Sequence, residues 1–340
     1  GVVSRPSGAL GLRRFSADES IDEEELLGAV SYGSGIQCCH PLISGIVPMP
    51  VLPSGDHMRM AWYAGDSFTD GSLGNLHYRH DEKILFGFVA LNEADFTPSD
   101  DTSALQLASH AAYQAIFETL NKTGFTYLIR CWNYLPHINA ADDGLERYRH
   151  FNIGRQAAFI AARHSHLAGS PSACALGTTE GNLIVYFLAA HAEPHALENP
   201  RQMSAYYYPD QYGPNSPTFS RAALLPLDGQ EILFISGTAS ILGHESLHLG
   251  DIAAQTAETL RNIDAVIAQA NLKSHLGGFS TRDLFMKVFI RNREDWESVN
   301  RVMREQLGDN TEVTCLQADI CRAELLVEIE AFGFRYGVRG

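Results

Sequence analysis

An order of helices and strands that occurs twice along the chain is the feature that most limits how it can fold. The second half predicts a glycine-bounded segment over 235–250, a helix over 251–271, a strand over 284–291, a helix over 294–306 and a strand over 321–331. This order is typical of a split β-α-β unit, in which two helices cover one side of a sheet.

The first half repeats the order more faintly, with a helix over 103–121, a strand over 126–134, a helix over 145–164 and a strand over 172–190. Two copies of one unit can bury their exposed sheet faces against helices or each other, and the crevice between them is a natural place for a site. We therefore predict an α+β protein whose mixed sheets are covered by helices.

Domain boundaries are predicted from the same pattern. Residues 1–25 are polar and rich in charge and glycine, which predicts a flexible N-terminal segment. A degenerate first domain is expected over 26–195 and a second domain over 196–340.

The last predicted strand combines apolar residues with three carboxylates. Strand alternation places Glu324, Glu328 and Glu330 on one face and apolar side chains on the other. Either this acidic face is washed by solvent, or at least one acid lines a pocket where its proton takes part in chemistry.

Composition excludes several classes of protein. The chain of 340 residues is 45% hydrophobic and 19% charged, as in globular proteins, and its net charge of −15 argues against a nucleic-acid or anionic-membrane surface. An anionic small molecule would need a local arginine cluster. No run approaches the roughly 18 apolar residues of a membrane span, and six cysteines without a C-x-x-C pair favour reduced thiols. We expect a cytoplasmic protein.

Two sets of segments resemble known families. Residues 251–256, 260–263, 288–290 and 327–331 resemble the RidA/YjgF family, trimeric proteins of chorismate-mutase-like fold that bind small carboxylates between subunits. Over most of the chain, the segments at 144–155, 206–214 and 236–240 resemble the chorismatases.

The resemblance implies a fold and an activity. The fold would be two tandem RidA-like domains with an active site in a cleft near the C-terminal sheet, and a homotrimer is expected by analogy. Chorismatases cleave the enolpyruvyl ether of chorismate and release pyruvate together with a dihydroxycyclohexadiene carboxylate or a hydroxybenzoate. This chemistry requires no cofactor.

Chorismate is a dianion, so its site needs cationic clamps, and the arginine fork suits carboxylates. Arg155 and Arg221 lie beside aromatic-rich segments and are our candidates, with Tyr212 as a hydroxyl partner. The alternatives are an ordinary surface arginine on a helix and a packed tyrosine loop over 206–212.

Cleavage of an enol ether begins with protonation of its terminal methylene, which requires an acid that stays protonated near neutral pH. The resemblance places Glu328 at the family's acidic strand position, and burial would raise its pKa. The alternative is a structural carboxylate paired with an arginine.

Cys321 and Ala239 bear on the product. Cys321 precedes Glu328 by seven residues, and in this the chain resembles the branch of the family that makes 3-hydroxybenzoate. Ala239, in contrast, resembles the residue of the hydrolytic branch. We expect 3-hydroxybenzoate, with 4-hydroxybenzoate possible from the same intermediate and the dihydroxycyclohexadiene carboxylate as the alternative. Without the family, a lone cysteine in a strand is usually a small buried apolar residue.

Three other functions stay open on the sequence alone. An imine deaminase of RidA type would use Arg322 to hold the substrate carboxylate and a water near Glu328, and a metabolite-binding protein would not need Glu328. The pattern H-E-x-x-H at residues 244–248 matches zinc proteases, but its flanking glycines predict a loop, not the helix that such a metal site needs.

Overall fold

The computed structural model describes residues 5–33, 44–163, 170–204 and 219–337. The strands of the first half are β1 (Gly11–Ser16), β2 (Leu26–Tyr32), β3 (Ser44–Val47), β4 (Val51–Leu52), β5 (Met58–Tyr63), β6 (Thr69–Leu73), β7 (Leu76–His80), β8 (Ile84–Leu91), β9 (Tyr127–Pro136), β10 (Ala141–Asp142), β11 (Leu145–Glu146), β12 (Ser172–Thr178) and β13 (Leu183–Ala190).

The second half adds β14 (His195–Leu197), β15 (Ala222–Leu227), β16 (Gln230–Thr238), β17 (Ile241–Leu242), β18 (Glu245–Ser246), β19 (Phe285–Ile290), β20 (Glu312–Gln317), β21 (Asp319–Ile320) and β22 (Val327–Tyr336). The α helices of the described residues are α1 (Ala104–Thr123), α2 (Arg147–Arg163), α3 (Ile252–Lys273) and α4 (Trp296–Leu307).

Two seven-stranded mixed sheets repeat one topology. Along the chain, the main elements of the first sheet are β8, α1, β9, α2, β12 and β13, and its strands lie side by side in the order β12-β9-β13-β8. The corresponding elements of the second sheet are β16, α3, β19, α4, β20 and β22, and its strands lie side by side in the order β20-β19-β22-β16. In both sheets the strand after the first helix pairs parallel with the strand after the second helix and antiparallel with the last strand. The predicted duplication and the α+β class are confirmed.

The helices begin where local side chains cap them and cover the outer faces of the sheets. Ser103 Oγ accepts a hydrogen bond from Gln106 N (3.1 Å) at the start of α1, and Asp251 Oδ1 accepts one from Ala254 N (3.0 Å) at the start of α3. Apolar side chains of α1 and α2 pack on the first large sheet, and those of α3 and α4 pack on the second.

A third, four-stranded sheet in the order β1-β5-β2-β3 covers the inner faces of the two large sheets. Trp62 of β5 lies at the meeting point of the three sheets, with ring centroids 5.8 Å from Trp132, 5.9 Å from Phe234 and 5.5 Å from Phe332. The small sheet therefore completes a central core that two large sheets alone would leave open.

The described part of the N-terminal segment, residues 5–25, contains a strand, and its predicted flexibility stays a prediction. β1 lies within it and pairs antiparallel with β5, Phe15 is buried, and the Arg5 guanidinium forms an ion pair with Glu25. The polar composition of residues 1–25 gave no indication of β1, in which Phe15 is the one buried aromatic residue. The domain boundaries at 26–195 and 196–340 stay a prediction.

The strand predicted over 321–331 begins later, at Val327, so Cys321 lies in a bend and not on a strand. Side chains form hydrogen bonds with much of the backbone before Val327: Arg291 donates to the carbonyls of Leu325 (2.9 Å) and Arg322 (3.0 Å), and Gln255 Oε1 accepts from Leu326 N (2.8 Å). The segment predicted as one strand over 172–190 is likewise two strands, β12 and β13, joined by a turn.

No helix in the described ranges has the length and apolar character needed to cross a membrane.

Candidate active site

Glu328 lies on β22, between β16 and β19, at the seam between the two large sheets. The register of β16 against β22 shifts between Ile235 and Thr238, and this irregularity brings the backbone of Gly237 against the Glu328 carboxyl. A Cβ at position 237 would clash with Glu328 Oε2 and would lie 3.2 Å from Cys174 Cβ. Glycine at position 237 therefore leaves room for the Glu328 carboxyl next to β16 and the Cys174 side chain of β12.

The Glu328 carboxyl is held in its neutral form. Its side chain is 4% exposed, and Oε2 forms no hydrogen bond with any described residue. Burial raises the pKa of Glu328 to about 8, the negative charge of Glu330 adds to the shift, and the Arg130 guanidinium acts against it. The group is therefore protonated at neutral pH and can give a proton to a bound molecule. The acidic face of β22 is buried, so the solvent-washed alternative for Glu328 and Glu330 is wrong.

Two cations flank Glu330. Its fully buried carboxylate forms ion pairs with the Arg130 guanidinium and with Lys287 Nζ, the second at 2.6 Å. Burial acts to lower the pKa of Lys287, but the Glu330 carboxylate offsets this and the net shift is upward. Lys287 Nζ also donates to Tyr32 Oη (2.8 Å), and the Tyr32 hydroxyl forms hydrogen bonds with the hydroxyls of Tyr134 and Tyr186. A buried cluster of ion pairs and hydrogen bonds thus lies behind Glu328.

Hydroxyl groups join the two large sheets beside this cluster. Arg130 Nη1 donates to Ser172 Oγ (2.7 Å), Ser172 Oγ lies 3.0 Å from Ser236 Oγ, and Ala173 N donates to Ser236 Oγ (3.0 Å). These bonds fix β12 against β16, and with them the position of Gly237 next to Glu328.

Cys321 lies in the bend between β21 and β22 and packs against both the central core and the core under α1 and α2. Burial raises the pKa of its thiol to about 12, with a further upward contribution from the charge that Glu328 carries when ionised. The thiol is therefore neutral, within electrostatic range of Glu328, and is not a nucleophilic thiolate.

Helix α2 brings Arg155 to the same region. Arg155 is 2% exposed, its Nη2 donates to Asn152 Oδ1 (2.8 Å), and its guanidinium lies 4.8 Å from the Phe151 ring. The neighbouring Tyr148 is within electrostatic range of Cys321, Arg155 and Glu328. Arg155 is therefore a buried cation under α2, not an ordinary surface arginine.

The remaining predicted residues have other contacts. Arg221 Nη2 donates to Met203 O (2.7 Å), the carbonyl of buried Ala239 accepts from Asn262 Nδ2 (2.9 Å), and Arg322 Nη1 donates to His244 O (2.8 Å). Arg322 is within electrostatic range of Cys321. Tyr212 lies outside the described residues.

Sequence reasoning missed Tyr148, Asn152 and the cations Arg130 and Lys287 as members of this region. One signal was present: Arg130 and Lys287 each stand alone within an apolar strand, and a charge in such a place needs a buried partner. The helix required by the H-E-x-x-H zinc pattern is not there, because Glu245 and Ser246 form β18 of a short hairpin.

Comparisons with known proteins agree with the two-unit architecture. A family model described as "Chorismatase FkbO/Hyg5-like, N-terminal" matches residues 60–189, and one described as "Endoribonuclease L-PSP" matches residues 218–334. The chain is 35% identical to a 3-hydroxybenzoate synthase of Streptomyces hygroscopicus, over 90% of each chain. It is 34% identical to a chorismatase of Streptomyces rapamycinicus, over 93% of this chain and 95% of that one. A crystal structure of a chorismatase superposes with a TM-score of 0.84 at 31% identity and covers 97% of this chain and 99% of that one.

Proposed function

Since the chain belongs to the chorismatase family, we infer that it is an enzyme that acts on chorismate. We propose that it cleaves the enolpyruvyl ether to release pyruvate together with 3-hydroxybenzoate, with Glu328 as the general acid. The observation that carries the proposal is the buried Glu328 carboxyl, whose pKa of about 8 keeps it protonated at neutral pH.

The reaction starts when Glu328 gives its proton to the terminal methylene of the enolpyruvyl group, which forms an oxocarbenium ion. The bond from the ring carbon to the ether oxygen then breaks, and its electron pair completes the keto group of pyruvate. The neighbouring ring hydroxyl attacks the same ring carbon and loses its proton, which restores the Glu328 carboxyl. The three-membered epoxide ring then opens and the six-membered ring becomes aromatic, which gives 3-hydroxybenzoate without addition of water.

Arg155 and Arg221 are proposed to hold the two substrate carboxylates, with Tyr212 as a hydroxyl donor and Arg322 as a further cation near Cys321. The buried position of Arg155 supports this role, because a guanidinium at 2% exposure gains most from an anionic partner. A substrate cleft beside Glu328 is part of the same proposal.

The test is incubation of the purified protein with chorismate in the absence of added metal. Pyruvate is assayed enzymatically and the ring products are separated by chromatography. We expect pyruvate together with 3-hydroxybenzoate. Pyruvate with the dihydroxycyclohexadiene carboxylate would assign the chain to the hydrolytic branch, and unchanged chorismate would overturn the proposal.

The rate should fall at alkaline pH. Only the protonated Glu328 carboxyl can donate, so kcat/KM should be level below pH 8 and should fall about tenfold for each pH unit above it. The measurement is a pH series of initial rates from about pH 6 to about pH 10. The carboxylates of chorismate titrate near pH 4, far below this range. A profile that stays level to its alkaline end would contradict the assignment of Glu328 as the acid.

Replacement of Cys321 by valine should change the products more than the rate. Valine is apolar and only slightly larger than cysteine, and it removes the thiol that lies within electrostatic range of Glu328. We therefore expect the ratio of 3-hydroxybenzoate to the hydrolysis product to fall by at least about 10-fold, equivalent to about 1.4 kcal/mol. Cys315→Val, at a buried thiol in the core under α3 and α4, is the matched control and should leave the ratio unchanged. An unaltered ratio in Cys321→Val would show that the thiol does not select the product.

A further inference from the structure

A cavity of about 540 Å³ lies where β1 of the small sheet meets β19, β20 and the second half of β22. It includes none of the residues assigned above to the candidate active site. Its walls come from four distant parts of the sequence, at residues 5–22, Tyr63, 282–285 and 310–336, so it exists only in the folded chain. Its volume falls within the usual range of small-molecule sites.

The floor of the cavity is aromatic. Phe285 and Phe334 are partly exposed there, next to Phe332, whose ring centroid lies 6.5 Å from that of Phe285. The same side chains pack against the central core from the outside. An accessible floor of this kind suits a flat ring, because aromatic rings stack or meet edge to face.

The rim of the cavity is basic. Five arginines and three acids line it, although the whole chain has 25 basic and 40 acidic residues. Arg5 is paired with Glu25, and Arg335 donates to Gly278 O (2.5 Å) and lies 3.5 Å from Asp283. Arg14 and Arg282 are exposed, and their guanidinium groups form no hydrogen bond or ion pair with a described residue. Two guanidinium groups are thus available to an anion at the edge of an aromatic floor.

We propose that this cavity binds a monocyclic aromatic carboxylate, with the ring on Phe285 and Phe334 and the carboxylate between Arg14 and Arg282. The guanidinium fork matches a carboxylate, and a bare phosphate would leave the aromatic floor uncovered. A hydroxybenzoate belongs to this class. The identification of the ligand with the product rests on the proposed function, but the binding itself does not.

The experiment is calorimetric titration with benzoate and with 3-hydroxybenzoate, and uncharged benzamide serves as the ligand control. Arg14→Gln/Arg282→Gln should weaken benzoate binding at least about 10-fold, because each charge-assisted hydrogen bond is lost. Arg301→Gln, at an exposed arginine of α4, should bind as the wild type does. Benzamide should bind much more weakly than benzoate, and added salt should weaken benzoate binding.

Hydrogen exchange with bound benzoate locates the site. Slower exchange in β1 and in residues 282–285 supports the proposal. Protection confined to residues near Glu328, together with wild-type affinity in the double variant, would overturn it. The double variant should turn over chorismate at the wild-type rate, which shows that its fold is intact. None of the binding readouts requires turnover, so failure of the proposed reaction would not be mistaken for failure of this site.

Discussion

Glu328→Gln is expected to lower pyruvate release from chorismate by about 10² to 10⁴-fold, the usual contribution of a general acid. Glutamine fills the same space and keeps the acceptor oxygen, but it has no proton of suitable acidity for the enolpyruvyl methylene. Chorismate should still bind, because the arginine clamps are unchanged. The measurements are single-turnover release of pyruvate and calorimetric binding of chorismate.

Glu305→Gln is the matched control, since Glu305 is an exposed glutamate on α4. It should leave both measurements at their wild-type values. Near-normal turnover by Glu328→Gln would remove Glu328 from the mechanism. A loss of binding equal to the loss of rate would make Glu328 a substrate-holding residue and not an acid.

Glu330→Gln should be the most destabilising of these changes. It removes the anion between Arg130 and Lys287, both of which are almost completely buried, and it leaves two cations without their charge partner. Breaking a buried ion pair on one side typically costs about 3–5 kcal/mol. We expect a fall in melting temperature of about 5–10 °C, measured by calorimetry at neutral pH.

A second substitution separates lost charge pairing from lost packing. Glu330→Gln/Lys287→Met removes one of the two unpaired cations and should melt above Glu330→Gln alone. Where the single variant stays folded, its alkaline rate limit should move below pH 8, because the Glu330 charge contributes to the raised pKa of Glu328. A melting temperature equal to that of the wild type would show that the cluster does not hold the seam together.

Local patterns in the sequence predicted the repeated units and their helices. The cap residue Asp251 and the apolar spacing after it depend on neighbours within a few positions, and α3 begins at Ile252 as expected. The predicted start of β22, at Cys321, was wrong, because the distant side chains of Arg291 and Gln255 form hydrogen bonds with the backbone there. Periodicity within one segment contains no information about such partners.

The candidate site was predictable only in part. Glu328 was predicted from the family resemblance. Its burial and the neighbouring Glu330 charge, which raise its pKa, could not be read from any sequence pattern. Glu330 meets Arg130 from 200 positions away in the sequence, and that pairing depends on how the two units dock. The assignments of Arg155, Arg221, Ala239, Arg322 and Tyr212 to substrate binding, and the expected homotrimer, stay predictions for mutagenesis and light scattering.

The seam that holds Glu328 joins two halves of one polypeptide, and this has a consequence for inheritance. In an assembly of identical single-unit chains, one codon change alters every copy of a site at once. Here β12 and β22 belong to different units of one chain, so Cys174 and Glu328, which both lie near Gly237, can be substituted separately. Because both units belong to one polypeptide, dilution of the protein cannot separate Cys174 from Glu328.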